Sequence, residues 1–201
     1  MDPSQVKHLY NIVHVKNLAS VLKDGIICHN QVGNRTVADI SDPTIQERRV
    51  NVEIPGTGKR LHDYANLYFN PRNAMMYKRK EMHQDLCVVG VAPRILDQAN
   101  VIISDGNASS DWSKFHQSPD GLASLDASLV MAKYWTDPNY YAYLNKKRSV
   151  CAEVLVPDLI LPSFFEEIYV SCKGTKRKVI ELLGNHPLSK HVVIDADMFF
   201  Q

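Results

Sequence analysis

Apolar and polar positions along the chain predict both strands and helices. Apolar or alternating runs predict strands over residues 10–15, 61–69, 86–92, 100–104, 150–156, 168–171 and 191–194. Apolar residues at helical spacing predict helices over residues 18–24, 71–80, 122–135, 137–148 and 175–183. For the helix at 71–80, Asn70 is the expected N-cap and Pro71 the first residue. Because strands and helices do not alternate regularly, the sequence predicts an α+β fold rather than a parallel β-α-β series.

Length and composition indicate one globular domain. The chain has 201 residues, 45% of them hydrophobic and 22% charged, which is typical of globular proteins and enough for a sizeable core. No apolar run approaches the ~20 residues of a membrane span. Residues 1–10 lack a signal-peptide pattern. We therefore expect a single domain over residues 1–201, located in the cytoplasm.

The spacing of cysteines and histidines does not predict a metal site. Cys28, Cys87, Cys151 and Cys172 are far apart, and three of them lie in apolar runs, which favours reduced core thiols. The eight histidines show no metal-binding spacing. The net charge of +1 excludes a global field that would attract nucleic acid. Local basic candidates are Arg35, Arg48, Arg49, Lys59 and Arg60, unless they form an ordinary solvated loop.

Residues 48–77 mix aromatic rings with polar and charged side chains. His62, Asp63 and Tyr68 lie close together there. A simple strand would alternate apolar and polar residues, whereas the wall of a ligand pocket places a few polar groups among apolar ones. The alternative interpretation is a buried strand that leads into a helix. The two are compatible, with a structural backbone and functional side chains.

Glu153 is the strongest single candidate for catalysis. It is expected in the middle of the strand at 150–156, among apolar residues where an unpaired carboxylate is costly to bury. The alternative is a solvent-facing glutamate on an edge strand. Alternation places Glu153 on the same face as Cys151 and Leu155, which favours the functional interpretation.

Several motifs together resemble the DarT family of DNA ADP-ribosyltransferase toxins. They are LYNIVHVKNLASVLKDG at 9–25, IQERR at 45–49, LHDYANLYFNPRNAMMY at 61–77, ISDGNASS at 103–110 and CAEVLVPD at 151–158. The resemblance covers nearly the whole chain. It implies an ADP-ribosyltransferase-like fold, with a central mixed, mostly antiparallel split sheet flanked by helices.

The resemblance also implies roles for individual residues. Glu153 is the catalytic carboxylate, which would accept a hydrogen bond from a ribose hydroxyl and stabilise the positive charge that develops when nicotinamide leaves. The catalytic arginine is Arg48 or Arg49, and the alignment of IQERR favours Arg48. A guanidinium keeps its proton, with a pKa above about 12, so its implied role is to hydrogen-bond the acceptor base rather than to act as a base.

Further candidate positions come in part from the same resemblance, whereas Tyr68 and Arg72 are proposed from side-chain chemistry, with a place in the core as the alternative. Residues 33–50 are implied to cover NAD, and residues 106–153 to face the acceptor. The candidate NAD-binding residues are Asn11, Ile12, Val13, Ser20, Arg48 and Tyr68. The candidate DNA contacts are Arg72, Asn107 and His116. The family commonly has His and Thr where this chain has Asn11 and Val13, so backbone contacts are expected to matter most there.

The implied function is transfer of ADP-ribose from NAD to a DNA base by the toxin of a toxin–antitoxin pair. The resemblance implies thymidine as the acceptor in most of the family and guanosine in a smaller branch. The pairing edge of a base is hidden in a duplex, so single-stranded DNA is the expected substrate. The implied partner is an antitoxin macrodomain protein. The alternatives are a transferase that acts on RNA or protein, and a non-catalytic nucleotide-binding module.

Overall fold

Two β-sheets and seven short helices make up the computed structural model, which describes residues 1–33 and 38–201. The strands are β1 Leu9–His14, β2 Ile26–Ile27, β3 Tyr64–Tyr68, β4 Leu86–Val91, β5 Ile102–Ser104, β6 Phe115–Gln117, β7 Glu153–Pro157, β8 Leu159–Ile160, β9 Phe165–Val170 and β10 Val192–Ile194. The helices are α1 Leu18–Asp24, α2 His29–Val32, α3 Pro43–Arg49, α4 Ala74–Lys78, α5 Ala127–Val130, α6 Tyr140–Ser149 and α7 Lys173–Leu183. Within these ranges, no helix has both the length and the apolar character needed to cross a bilayer.

The large sheet is divided at its centre. Its eight strands run in the order β10-β9-β4-β1-β3-β7-β5-β6, and β2 pairs with β8 in a separate small sheet. Only β9 and β10 run parallel; the other described pairs are antiparallel. Strand β1 pairs with β4 along its whole length but meets β3 only at Tyr10 and Tyr68. The mostly antiparallel split sheet predicted from the sequence is confirmed, and the split lies between β1 and β3.

Apolar residues on both faces of the sheet form the cores. The main core takes the inward side chains of β1, β4, β7 and β9 together with α7 residues such as Val179 and Leu183. Each fully buried Val, Leu or Ile contributes roughly 1.5–3 kcal/mol. Smaller clusters lie around Met76 and Phe199, and around Ile54 and Leu155. The second of these smaller clusters lies on the face of β7 that also carries Glu153.

The structure corrects the expected start of the helix at 71–80. Helix α4 begins at Ala74, because Asn73 is the N-cap and its side chain accepts hydrogen bonds from the backbone N–H groups of Met75 and Met76. Asn70, the expected cap, accepts from the N–H of Arg72 at 2.9 Å and also donates to the carbonyl oxygens of Val130 and Ala132 at 3.1 Å. Asn70 thus forms a separate turn before the helix, which begins three residues later than expected.

Two further boundaries differ from expectation. Residues 122–135 do not form one helix, because Asp126 caps the four-residue helix α5 and a separate 3-10 turn precedes it. Strand β7 begins at Glu153 instead of residue 150, because helix α6 continues to Ser149. Glu153 thus lies at the beginning of a strand and not in its middle. Cys28, Cys87 and Cys151 are buried and Cys172 is partly exposed.

Candidate active site

Glu153 is held in the sheet between two neighbouring strands. It lies opposite Tyr68 on β3 and opposite Ser104 on β5. Its side chain is almost completely buried, with 1% of its surface exposed. Val154 on the other face packs in the main core, as strand alternation requires. The carboxylate is therefore fixed in place and faces away from the main core.

Arg49 is the ion-pair partner of Glu153. Its Nη1 lies 3.2 Å from Oε1 and 3.0 Å from Oε2 of the carboxylate, and Arg49 itself is only 7% exposed. Breaking a buried pair by removing one partner typically costs about 3–5 kcal/mol, because the other charge remains without compensation. Each of the two buried charges, Arg49 and Glu153, is thus stabilised in the folded protein by the other.

The phase of helix α3 decides which of the two adjacent arginines meets the carboxylate. Pro43 is at the first position of α3, and the Asp42 side chain caps it by accepting from the N–H groups of Thr44 and Ile45. Adjacent residues on a helix point about 100° apart. Arg49 accordingly faces inward while Arg48 is exposed. The alignment favoured Arg48, but the structure directs Arg49 to Glu153.

A backbone amide completes the surroundings of Glu153. The N–H of Ala108 donates to Oε1 at 2.9 Å. The Asn107 side chain sets up this turn, because its oxygen accepts from the N–H and the hydroxyl of Ser109 at 3.0 and 2.8 Å. Gly106 packs so closely on Arg148 that a Cβ would lie 3.1 Å from the Arg148 carbonyl oxygen. Asn107 thus shapes the loop that presents Ala108, which is the turn-forming behaviour typical of asparagine.

Tyr68 lies beside this cluster on β3. It is half-buried, and its hydroxyl is 3.5 Å from the sulfur of Met75. Burial and, next, the negative charge of Glu153 raise the pKa of Tyr68, so the phenol is neutral at physiological pH. A neutral ring beside the carboxylate can stack on a ligand and donate a hydrogen bond.

A cavity of about 140 Å³ opens beside β1 at the split in the sheet. Its lining includes the predicted NAD-binding residues Asn11, Ile12, Val13 and Ser20. Beyond Tyr10, and within the described ranges, β1 has no backbone pairing with β3. The Asn11 side chain spans the gap by donating to the carbonyl oxygen of Asn66 at 3.0 Å. An unpaired strand edge offers backbone N–H and C=O groups to a ligand amide, so this site fits nicotinamide.

Residues 38–50, which belong to the segment expected to cover NAD, are held to the rest of the protein by several contacts. The Asn17 side chain forms two hydrogen bonds with the backbone of Ala38, at 2.7 and 2.9 Å. Arg79 donates to the carbonyl oxygens of Ile40 and Ser41 at 2.7 and 2.6 Å. Lys78 pairs with Asp42. Arg35, a basic candidate, lies outside the described residues.

Two predicted DNA contacts lie away from Glu153. Arg72 donates to the Asp197 carbonyl oxygen at 2.9 Å, and its guanidinium lies 3.9 Å from the centre of the Phe200 ring. Arg72 therefore holds residues 197–200 against the segment that precedes α4. His116 pairs with Ile103 on β5, and Ile103 is itself opposite Val154. Strand alternation thus places His116 on the face opposite to Glu153.

Other candidates also have structural partners or are exposed. Ser20 donates to the carbonyl oxygen of Asn17 at 2.8 Å, although it lines the cavity. Lys59 pairs with Asp158 at 3.1 Å, and Arg60 is exposed. Among residues 1–33 and 38–201, no group of three or more His, Cys, Asp or Glu side chains could hold a metal ion. Ala108 and Gln46 were not singled out from the sequence, because one contributes a backbone amide and the other a long-range contact to His62, which was named only as part of the mixed segment at 48–77.

The split sheet, the buried strand carboxylate beside an open strand edge, and the arginine that meets it define an NAD-using ADP-ribosyltransferase. Comparison with known proteins narrows this class. The family model described as "ssDNA thymidine ADP-ribosyltransferase, DarT" matches residues 10–200. The chain belongs to the DarT family of DNA ADP-ribosyltransferases. The family, the fold class and the enzyme class predicted from the sequence are thereby confirmed.

Curated relatives are similar along nearly the whole chain. A DNA ADP-ribosyl transferase of Thermus sp. (strain 2.9) is 27% identical, covering 96% of this chain and 95% of the relative. A fusion of DNA ADP-ribosyl transferase and DNA ADP-ribosyl glycohydrolase from Thermosipho africanus is also 27% identical and covers 96% of this chain. This chain spans 50% of the length of that fusion protein.

Solved structures show the same fold. Thermus sp. 2.9 DarT in complex with ADP-ribosylated ssDNA is 25% identical, with a TM-score of 0.85, and the match covers 98% of this chain and 97% of that one. Thermosipho africanus DarTG in complex with ADP-ribose is 26% identical, with a TM-score of 0.82, and the match covers 96% of this chain and 51% of that one. The likeness therefore extends over the sheet and the loops around Glu153.

Proposed function

We propose that this protein transfers the ADP-ribosyl group of NAD to a thymine base in single-stranded DNA and releases nicotinamide. The observation that carries the proposal is the buried Arg49–Glu153 pair, held by the Ala108 amide beside the open edge of β1. A transferase of this kind needs a fixed carboxylate next to a pocket for the leaving group. The match of residues 10–200 to the family supports the choice of base.

Glu153 and Arg49 have different roles in the proposed reaction, Glu153 at the ribose of NAD and Arg49 at the acceptor base. NAD supplies the ADP-ribosyl group, with nicotinamide as its leaving group. Glu153 accepts a hydrogen bond from a ribose hydroxyl, and its negative charge stabilises the positive charge that develops on the sugar. Its position is fixed before the reaction, so little reorganisation is required. Burial strengthens this electrostatic effect because water does not screen it.

Arg49 is suited to contact the acceptor base. Within the described ranges, its hydrogen bonds to Glu153 use only Nη1. A guanidinium has five N–H donors, so Nε and Nη2 can donate to a base carbonyl oxygen. Such a contact stabilises the negative charge on the base as its ring nitrogen loses a proton. The exposed Arg48 is better placed for a phosphate.

The surface between residues 106 and 153 supports a single strand as the substrate. It exposes the aromatic side chains of Trp112, Tyr134, Tyr140 and Tyr141, with 83%, 65%, 66% and 80% of their surfaces accessible. Lys147 lies 5.5 Å from the centre of the Tyr143 ring. Exposed aromatics among cations are the usual device for binding unpaired bases. Unpaired thymine also presents its pairing edge, which a duplex hides.

A toxin role follows from the chemistry. Modification of the pairing edge blocks base pairing, so a second enzyme has to reverse it. The Thermosipho africanus relative joins a transferase to a DNA ADP-ribosyl glycohydrolase in one chain. We infer that an antitoxin macrodomain protein with this activity is the partner here. DNA and NAD meet in the cytoplasm, which is the compartment we propose.

The test is incubation with NAD that is radiolabelled in the ADP-ribosyl group. Separate reactions contain a single-stranded oligonucleotide with one thymine, the same strand with that thymine replaced by cytosine, the matching RNA, and a protein mixture. Label is expected only on the first substrate. Label on RNA or protein would favour the alternative transferase. NAD binding without any transfer would favour a non-catalytic module.

A further inference from the structure

A pair of stacked histidine rings lies behind the helix that carries Arg49. His29 on α2 and His62 in the turn before β3 have ring centres 4.1 Å apart and planes inclined by 28°. His29 is exposed, whereas His62 is only 5% exposed. The outer ring therefore shields the inner one, and the edge of His62 points towards α3.

The inner ring makes a hydrogen bond to α3. His62 Nε2 lies 3.0 Å from Oε1 of Gln46, which is half-buried. Residues three apart on a helix share a face, so Gln46 and Arg49 both point inward. Glu47 and Arg48, between them, are exposed. The bond to His62 and the ion pair to Glu153 thus lie on the same side of α3.

The short length of α3 makes these contacts important. It has 7 residues, and isolated helices shorter than about 12 residues are marginal in water. The Asp42 cap fixes where the helix begins but leaves its rotation about the axis open. A rotation by one residue, about 100°, would bring Arg48 inward in place of Arg49. Gln46 is a second side chain of α3 with an inward hydrogen-bond partner, and it opposes this rotation.

We propose that His62 and Gln46 are positioning residues that hold α3 in the rotation where Arg49 meets Glu153. The link to catalysis rests on the proposed function of Arg49 in base transfer. In this arrangement the pair His62–Gln46 acts on the reaction through the position of Arg49. The proposal also explains why two adjacent arginines have different surroundings.

The surroundings of His62 keep the ring neutral. Burial, then the charges of His29 and Arg49, lower the pKa of His62 to about 4, while Asp63 opposes the shift. A neutral ring donates from Nε2 to Gln46 without placing a second cation near Arg49. The titratable groups facing His62 are therefore His29 on α2, Arg49 on α3 and Asp63 in its own turn.

The first test measures helix rotation without relying on activity. Phenylglyoxal labels accessible arginines, and fragmentation mass spectrometry separates Arg48 from Arg49. In the wild-type protein, Arg48 is expected to react at least tenfold more than Arg49. In Gln46→Leu and His62→Phe, the second of which keeps an aromatic ring on His29, this ratio is expected to fall at least fivefold. An unchanged ratio in folded Gln46→Leu would overturn the proposal. If His62→Phe does not fold, the result for Gln46→Leu alone decides.

The second test measures transfer to a single-stranded oligonucleotide. Gln46→Leu is expected to lower kcat about tenfold, which corresponds to about 1.4 kcal/mol, with KM for NAD within twofold of wild type. Gln46→Glu should restore at least a third of the rate, because a carboxylate oxygen accepts the same bond. Glu181→Ala, at an exposed position of α7 and outside the segment expected to cover NAD, is the control and should be unaffected. A raised KM with unchanged kcat would overturn the proposal. An inactive wild-type protein would instead refute the proposed function, and the labelling ratio would still decide the positioning role.

Discussion

Removal of Arg49 should be far more damaging than removal of its neighbour Arg48. Arg49→Ala leaves Glu153, which is 1% exposed, with the Ala108 N–H as its only described donor. Breaking a buried pair in this way costs about 3–5 kcal/mol, a large share of a typical total stability of about 5–15 kcal/mol. In a chain of this size that corresponds to a decrease in Tm of roughly 6–20 °C. Arg48→Ala should stay within about 0.5 kcal/mol of wild type.

The loss should also depend on pH, in a direction that can be worked out. A buried carboxylate without a cationic partner retains its proton to higher pH than the same group in the unfolded chain. The folded Arg49→Ala variant then binds more protons than its unfolded form, so its stability falls as pH rises. The destabilisation should therefore be larger at pH 8 than at pH 5.

Denaturant unfolding at pH 5 and pH 8 measures this effect, and transfer to a single-stranded oligonucleotide measures activity in parallel. Arg49→Ala should lose transfer while Arg48→Ala retains most of it. The double variant Arg49→Ala/Glu153→Gln should recover part of the stability, because the uncompensated charge is gone. Equal stability of Arg49→Ala and wild type at pH 8 would refute the reasoning, as would a loss of transfer confined to Arg48→Ala.

Three other perturbations test the rest of the site. Glu153→Gln keeps the shape of the side chain and should fold, but it should lower transfer about a hundred- to a thousandfold in single-turnover measurements; a wild-type rate would remove Glu153 from the mechanism. Single strands should react much faster than the same sequence in a duplex, because extruding a paired base costs a few kcal/mol; equal rates would indicate an acceptor exposed in a groove. Tyr141→Ala should weaken oligonucleotide binding by about 1–3 kcal/mol without changing NAD affinity, whereas an unchanged Kd would exclude Tyr141 from the DNA surface.

The burial of Glu153 and the face it occupies were predictable because the signal is local. Its neighbours are apolar, and alternation places it on the face of Leu155, where the structure also has it. The Ala108 amide that holds it was not predictable. Any residue offers a backbone N–H, so nothing in the identity of Ala108 indicates which amide will meet the carboxylate.

The choice between adjacent arginines depended on a contact that is distant in sequence. The rotation of α3 involves Gln46 and His62, which are 16 residues apart, and Glu153, which is 104 residues from Arg49. Helical periodicity of IQERR alone does not fix which side faces the sheet. Local pattern therefore indicated the pair of arginines but not its inward member.

Misplaced helix boundaries have a similar cause. Asn70 and Asn73 both precede an apolar stretch and are equally good caps by residue type. Asn70 is occupied by the carbonyl oxygens of Val130 and Ala132, which lie 60 and 62 residues away. The same contact lies at the end of α5, and residues 131–135 beyond it are not helical, where spacing alone predicted a continuous helix.

The divided sheet has a consequence for how the protein opens. Its two halves share one residue pair, Tyr10 and Tyr68, and the Asn11 side chain. Cooperative unfolding units in proteins tend to follow the boundaries where few hydrogen bonds cross. We therefore expect local opening to begin at the boundary between β1 and β3, while the main core shared by β1, β4 and β7 holds the two halves together. A ligand bound along that boundary would contact both halves of the sheet. Ligand binding would therefore make the two halves unfold more cooperatively.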